Sequence, residues 1–158
     1  MNYFTEQLGE IMKINIGEGE LSGYLNVDPE LITTSGIAEH LDSLVEDAEA
    51  QEIICTKALQ LLPNSEAIET LDYLVSKLRI KGKIIISEVD TYELARLYVF
   101  SQIDLQVFNQ VIHGIEKTVK TSLTMAGICD YLESKGLKIM KKRINGYDIS
   151  VEAIRNEH

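Results

Sequence analysis

Residues 83–89, KIIISEV, form a near-continuous apolar run that closes on an acid and a valine. A strand of that character suits a position covered on both faces, as in a parallel sheet. Its surroundings support the same arrangement. Upstream, the stretch PNSEAIETLDYLVSKLRIKG places Ile68, Leu71, Leu74, Val75 and Leu78 on one apolar helical face. Asn64 or Ser65 is the expected cap, and Glu66 and Glu69 suit the positive helix start. Lys77 and Arg79 suit the last turn, with Gly82 as the stop. Downstream, Asp90 and Glu93 form a capping pair for a helical region that is expected to break near Ile103–Asp104. Short apolar runs alternating with amphipathic stretches imply an α/β fold.

Further strands are expected at Met12–Ile16, Tyr24–Val27, weakly at Ser35–Ala38, and at Glu52–Thr56. The stretch TSLTMAGICDYLESKG reads as a helix closed by Gly136. LKIMKKRI and YDISVEAI, joined by Asn145–Gly146, read as an antiparallel hairpin. The expected fold is a Rossmann-like, mostly parallel sheet with helices on both faces and a C-terminal antiparallel hairpin. Its 158 residues fit one domain.

Charge narrows the function classes. The net charge is −10, which lacks the basic footprint of a general nucleic-acid binder. The cluster KIMKKR, Lys138 to Arg143, is either the solvated part of a strand or a local patch for an anionic partner. No run of about 18 apolar residues is present, so no membrane span is expected. The N-terminus lacks the basic and apolar regions of a secretory signal. Cys55 and Cys129 stand far apart and form no metal-binding pair, which suits buried thiols in the reducing cytoplasm.

The stretch KINIGEGELSGYLNVD, Lys13 to Asp28, carries the functional signal. A strand ending in Gly17-Glu18-Gly19 lets the backbone come close to a ligand. Asp28, at the end of the next strand, is placed to accept the two hydroxyls of a ribose. INIGEGELSGYLNVD resembles the first motif of compact class I S-adenosylmethionine-dependent methyltransferases. The likeness continues in EIICTKALQLLPNSEAIETLDYLVSKLRIKGKIIISEVD and in the closing helix and hairpin, and covers about residues 12–154. The resemblance implies S-adenosylmethionine as cofactor. It assigns Gly17 and Gly19 to the methionine part and Asp28 to the ribose. It assigns Ala38 to Asp42, with Glu39, His40 and Asp42, to the adenine side. Thr56, Lys57 and Ala58 would face the methionine end.

The chain departs from that pattern at three places. Glu18 fills the middle of the Gly-x-Gly, where its carboxylate either meets the cofactor's ammonium or repels its carboxylate. The link between the first two strands is shorter than the roughly dozen residues of an ordinary parallel crossover. An antiparallel second strand would put Asp28 at the wrong edge. The turn KALQLLP places Lys57, Gln60 and Leu61 where relatives carry His, Asn or Glu. Candidates for a general base are His40, His113, Glu88 and Asp90, although Asp90 reads more simply as a cap and His113 as a helix end. No metal constellation and no Gly-x-Ser-x-Gly motif appears.

The leading expectation is methyl transfer to a small molecule or sugar. The alternatives are a catalytically inactive binding or assembly module of the same fold, and a binder of another nucleotide. The acceptor is expected to be set by residues 91–121, whose Leu97, Phe100, Val107 and Phe108 suit a lid, the domain's own packing, or pairing with another subunit.

Overall fold

A computed structural model describes residues 12–17, 19–28, 41–42, 44–114 and 118–156. The strand expected near Ser35–Ala38 lies outside them. In chain order the elements are β1 (Lys13–Ile16), β2 (Leu25–Val27), β3 (Ala50–Thr56), a 3₁₀ turn (Leu59–Leu61) and α1 (Asn64–Lys77). There follow β4 (Leu78–Val89), α2 (Thr91–Val99), α3 (Leu105–His113), α4 (Met125–Ser134), β5 (Leu137–Asn145) and β6 (Asp148–Arg155). The strands form one six-stranded sheet in the order β2-β1-β3-β4-β6-β5. β2, β1, β3 and β4 run parallel, while β6 and β5 close the sheet antiparallel. The Rossmann-like expectation therefore stands.

Alternation along the strands builds the core. Ile14, Ile53, Ile84 and Ala153 lie side by side across β1, β3, β4 and β6, all at 0% exposure. Ile16, Cys55, Ile86 and Val151 repeat the row one step on. Each buried isoleucine of this kind contributes about 1.5–3 kcal/mol. Leu71 and Leu74 of α1 and Ile128 and Leu132 of α4 join the same core. The Tyr131 hydroxyl donates to Asp72, and Lys135 pairs with that carboxylate at 3.2 Å, so α1 and α4 lie on the same side of the sheet. The opposite face carries a half-buried ladder. Lys83 bridges Glu52 at 3.0 Å and Glu152 at 3.4 Å, and such cross-strand pairs help set register.

Both ends of α1 differ from expectation. Neither Asn64 nor Ser65 caps the start: Asn64 is already helical, Pro63 holds the cap position, and the cap makes no side-chain hydrogen bond. The helix stops at Lys77, not beyond Arg79, because Leu78 enters the sheet opposite Ala50. The register with β3 then shifts, so that Glu52 faces Lys83. Gly82 sits in this irregular stretch, where an added Cβ would stand 2.8 Å from the Arg79 carbonyl and 2.9 Å from that of Ala50. It permits a close backbone approach and is not a helix stop. The caps downstream agree with expectation. Asp90 accepts from the Glu93 amide and Asp104 from the Val107 amide, so the break near Ile103–Asp104 is real. Asn145–Gly146 turns β5 into β6, with Asn145 opposite Asp148.

Candidate cofactor cleft at the carboxyl edge

β1 has β2 on one side and β3 on the other: the chain leaves the carboxyl end of β1 for β2, then the carboxyl end of β2 for β3 on the far side of β1. An open α/β sheet binds ligands in the crevice made where strand order reverses in this way. A cavity of about 880 Å³ lies there, within the usual range for small-molecule sites. Among the residues that line it are Gly17, Gly19, Asp28, Thr56 and Lys57. Residues expected to share one site from three separate segments are thus brought together. Glu18, Glu39 and His40 lie outside the described residues.

β2 runs parallel to β1, with Val27 opposite Ile16. Asp28 therefore emerges at the same edge as Gly17, and the short link does not reverse the strand. The two glycines do different work. Gly17 has φ +155°, and a Cβ on it would stand 2.9 Å from both the Cβ and the carbonyl oxygen of Thr56. Its missing side chain serves the approach of β1 to β3. Gly19, at φ +84°, has nothing within 4 Å of where its Cβ would be. Its missing side chain leaves the cleft open.

The far wall begins at Lys57. Its φ of +49° turns the chain out of β3, and its amide donates to the Ser87 carbonyl at 2.7 Å. Its ammonium lies 3.2 Å from Asp148 at the start of β6. The turn that follows brings Gln60 and Leu61 to the cleft. Glu88, at 0% exposure, holds this turn from beneath by accepting the Leu59 amide at 3.1 Å. Burial pushes its carboxyl up to about 8, against the pull of the Leu59 amide and Lys57. From the other side, the Lys120 and Thr121 amides donate to the Gln60 carbonyl at 2.7 and 3.2 Å. That fastening sets Thr118 and Val119 beside Gln110, Val111 and Gly114 as the outer wall.

The remaining base candidates are placed elsewhere. Asp90 is 4% exposed and spends both oxygens on backbone, taking the Glu93 amide at 2.8 Å and the Met125 amide at 2.7 Å. It is a structural clasp between α2 and α4. His113 is exposed at the end of α3. Within residues 91–121, Leu94 is fully buried while Phe100 is 67% exposed. Tyr98 and Phe108, with ring centroids 5.3 Å apart, fasten α2 to α3.

Asn26 and Tyr147 are among the cleft residues that carried no functional reading in the sequence. Tyr147 had an available signal. Because β6 runs antiparallel to β4, the hairpin tip must return to the carboxyl edge of β4, where the Asp90 amide donates to the Tyr147 carbonyl at 2.8 Å.

No protein-family model matches the chain, and no curated protein matches its sequence. Solved structures do match in fold. Magnesium protoporphyrin IX methyltransferase from Synechocystis PCC 6803, with bound S-adenosylhomocysteine, is 16% identical at a TM-score of 0.51, over 84% of this chain and 51% of that one. A SAM-dependent methyltransferase from Archaeoglobus fulgidus is 13% identical at 0.57, over 96% and 90%. The 1,6-didemethyltoxoflavin-N1-methyltransferase from Burkholderia thailandensis, with bound 1,6-didemethyltoxoflavin and S-adenosylhomocysteine, is 12% identical at 0.60, over 96% and 74%. The chain spans about half or less of several matched proteins: 51% of the Synechocystis enzyme, and 35% and 49% of two further methyltransferase structures. At these identities the likeness is one of fold.

Proposed function

The chain has the class I methyltransferase fold, and on that premise we propose that it binds S-adenosylmethionine in the carboxyl-edge cleft and transfers the methyl group to a small-molecule acceptor. The observation that carries this reading is the meeting of Gly17, Gly19, Asp28, Thr56 and Lys57 around one cavity at the strand-order reversal. The open space at Gly19 suits close approach of a ligand to backbone. In this reading Asp28 accepts the ribose hydroxyls, and the Gly17–Gly19 backbone, Thr56 and Lys57 surround the methionine end. Glu18, Glu39 and His40 complete the proposed set. When bound, the cofactor supplies an activated methyl group. The protein's own part is to hold an acceptor in line and keep water out, which lowers the entropic part of the barrier. Gln60, Gln110 and Tyr147 also line the cavity and offer polar groups for a small-molecule or sugar acceptor.

Residues 1–158 form a single domain in this proposal, with 12–154 as core and 91–121 as the acceptor side. Buried Cys55 and Cys129, both free thiols, support a cytoplasmic setting. Among the described residues no helix is long and apolar enough to cross a membrane.

S-adenosylhomocysteine is expected to raise the melting temperature, by about 2.7 kcal/mol of added stability at a hundredfold excess over Kd. Asp28→Ala should weaken calorimetric affinity roughly 10- to 100-fold, the loss of charge-assisted hydrogen bonds. An unchanged melting curve at millimolar ligand would sink the proposal. Binding without turnover on any acceptor would leave the inactive-module reading in its place.

A further inference from the structure

Among the described residues no helix lies between β1 and β2, where a parallel pair ordinarily uses one. Two asparagines do the helix's work. Asn15 and Asn26 lie directly opposite in the β1–β2 register. Asn15, at 4% exposure, donates through Nδ2 to the Gly19 carbonyl at 3.0 Å and to Asn26 Oδ1 at 2.9 Å. That same Oδ1 accepts the Leu21 amide at 3.0 Å. Asn26 Nδ2 donates to the carbonyls of Leu21 and Tyr24, both at 3.2 Å. Five hydrogen bonds thus cross between two side chains and one loop. Each donor of both amide groups is used, and Asn26 Oδ1 fills both its acceptor positions.

The network has a direction. It grips Gly19, which lines the cleft and has open space beside it, and it is anchored at Asn26, itself on the cleft wall and two residues before Asp28. We infer that Asn15 and Asn26 are positioning residues that set the spacing between the Gly19 backbone and Asp28 for ligand binding. The inference rests on the S-adenosylmethionine reading above. A network whose members are all satisfied holds one arrangement, whereas a loop with unmet polar groups samples several. Neither asparagine needs to touch the reacting atoms for this role.

The role differs from simple support of the fold in what it changes. A residue that only stabilises the protein lowers the melting temperature but leaves the native state's affinity unaltered. Asn15→Ala and Asn26→Ala are each expected to weaken calorimetric S-adenosylhomocysteine binding at least tenfold, at a temperature where both variants are folded. The double variant should lose less than the sum of the two singles, because each single already removes the shared bond. Asn26→Asp keeps the acceptor for Asn15 and Leu21 but loses both donations, so its affinity should fall between parent and alanine. It also serves if an alanine variant does not fold. Binding by the parent with unchanged affinity in folded variants overturns the inference alone. No binding by the parent overturns the cofactor reading, and the inference with it.

Discussion

Gly17→Ala is expected to lower stability by about 2–4 kcal/mol, from overpacking plus backbone strain. The added methyl would stand 2.9 Å from two atoms of Thr56, one of them a backbone carbonyl oxygen. Neither is the far end of a flexible side chain, so β1 and β3 must separate at their carboxyl ends. The melting temperature should fall by roughly 5–15 °C. Gly19→Ala is the matched control. It incurs the left-handed backbone cost of about 1–2 kcal/mol but meets no neighbour within 4 Å. Its larger effect should be on S-adenosylhomocysteine affinity, since Gly19 lines the cleft. A Gly17→Ala protein melting with the parent would refute the close-approach account.

Glu88→Gln is expected to stabilise the protein at alkaline pH. Glu88 is fully buried, its Oε1 accepts the Leu59 amide, and its Oε2 has no hydrogen-bond partner. Burial raises its carboxyl from 4.5 to about 8, worth roughly 3–5 kcal/mol at about 1.4 kcal/mol per unit. The folded chain holds this proton over a range where the unfolded chain has lost it. Folding therefore takes up a proton, and stability falls as pH rises from about 4.5 to about 8, then levels. Lys57 and Cys55 are the neighbours that feel the charge: the ammonium favours it, and the buried thiol is pushed further up by it. Glutamine keeps an acceptor for Leu59 and cannot ionise. Urea unfolding at pH 5 and pH 9 should show a flatter pH dependence than the parent, with the gain at pH 9. Parallel pH profiles for the two proteins would show that Glu88 is not the source. Glu88→Ala should act oppositely on the cleft, releasing the 59–61 turn that carries Gln60 and Leu61.

Periodicity was the most readable layer. KIIISEV gave a central strand because three consecutive isoleucines lie at its heart, and β4 has Ile84 and Ile86 fully buried. The caps at Asp90 and Asp104 were legible for a local reason: a carboxylate three residues before a free amide needs nothing from elsewhere in the chain. The errors fell where distant backbone intervened. The end of α1 looked like a glycine stop, yet Leu78 leaves the helix because β3 offers Ala50 as its partner. No local pattern around Leu78 contains that information.

The cleft divides along the same line. Gly17, Gly19, Asp28, Thr56 and Lys57 could be named from one motif and the order of elements, since each lies at or just past the carboxyl end of a strand on one edge. The sequence also carried the conflict over the short link, because chain length limits reach. It could not resolve it. In the parallel pairing, Asn15 and Asn26, eleven positions apart, stand opposite each other and bond the loop between them. The separate tasks of the two glycines were equally hidden. Gly17 is shaped by Thr56, which belongs to another strand, and Gly19 by the empty space beside it. Local chemistry is written residue by residue, so caps, faces and turns can be read there. Which backbone lies against which, and where space is left, arises only when segments far apart in the chain are packed together.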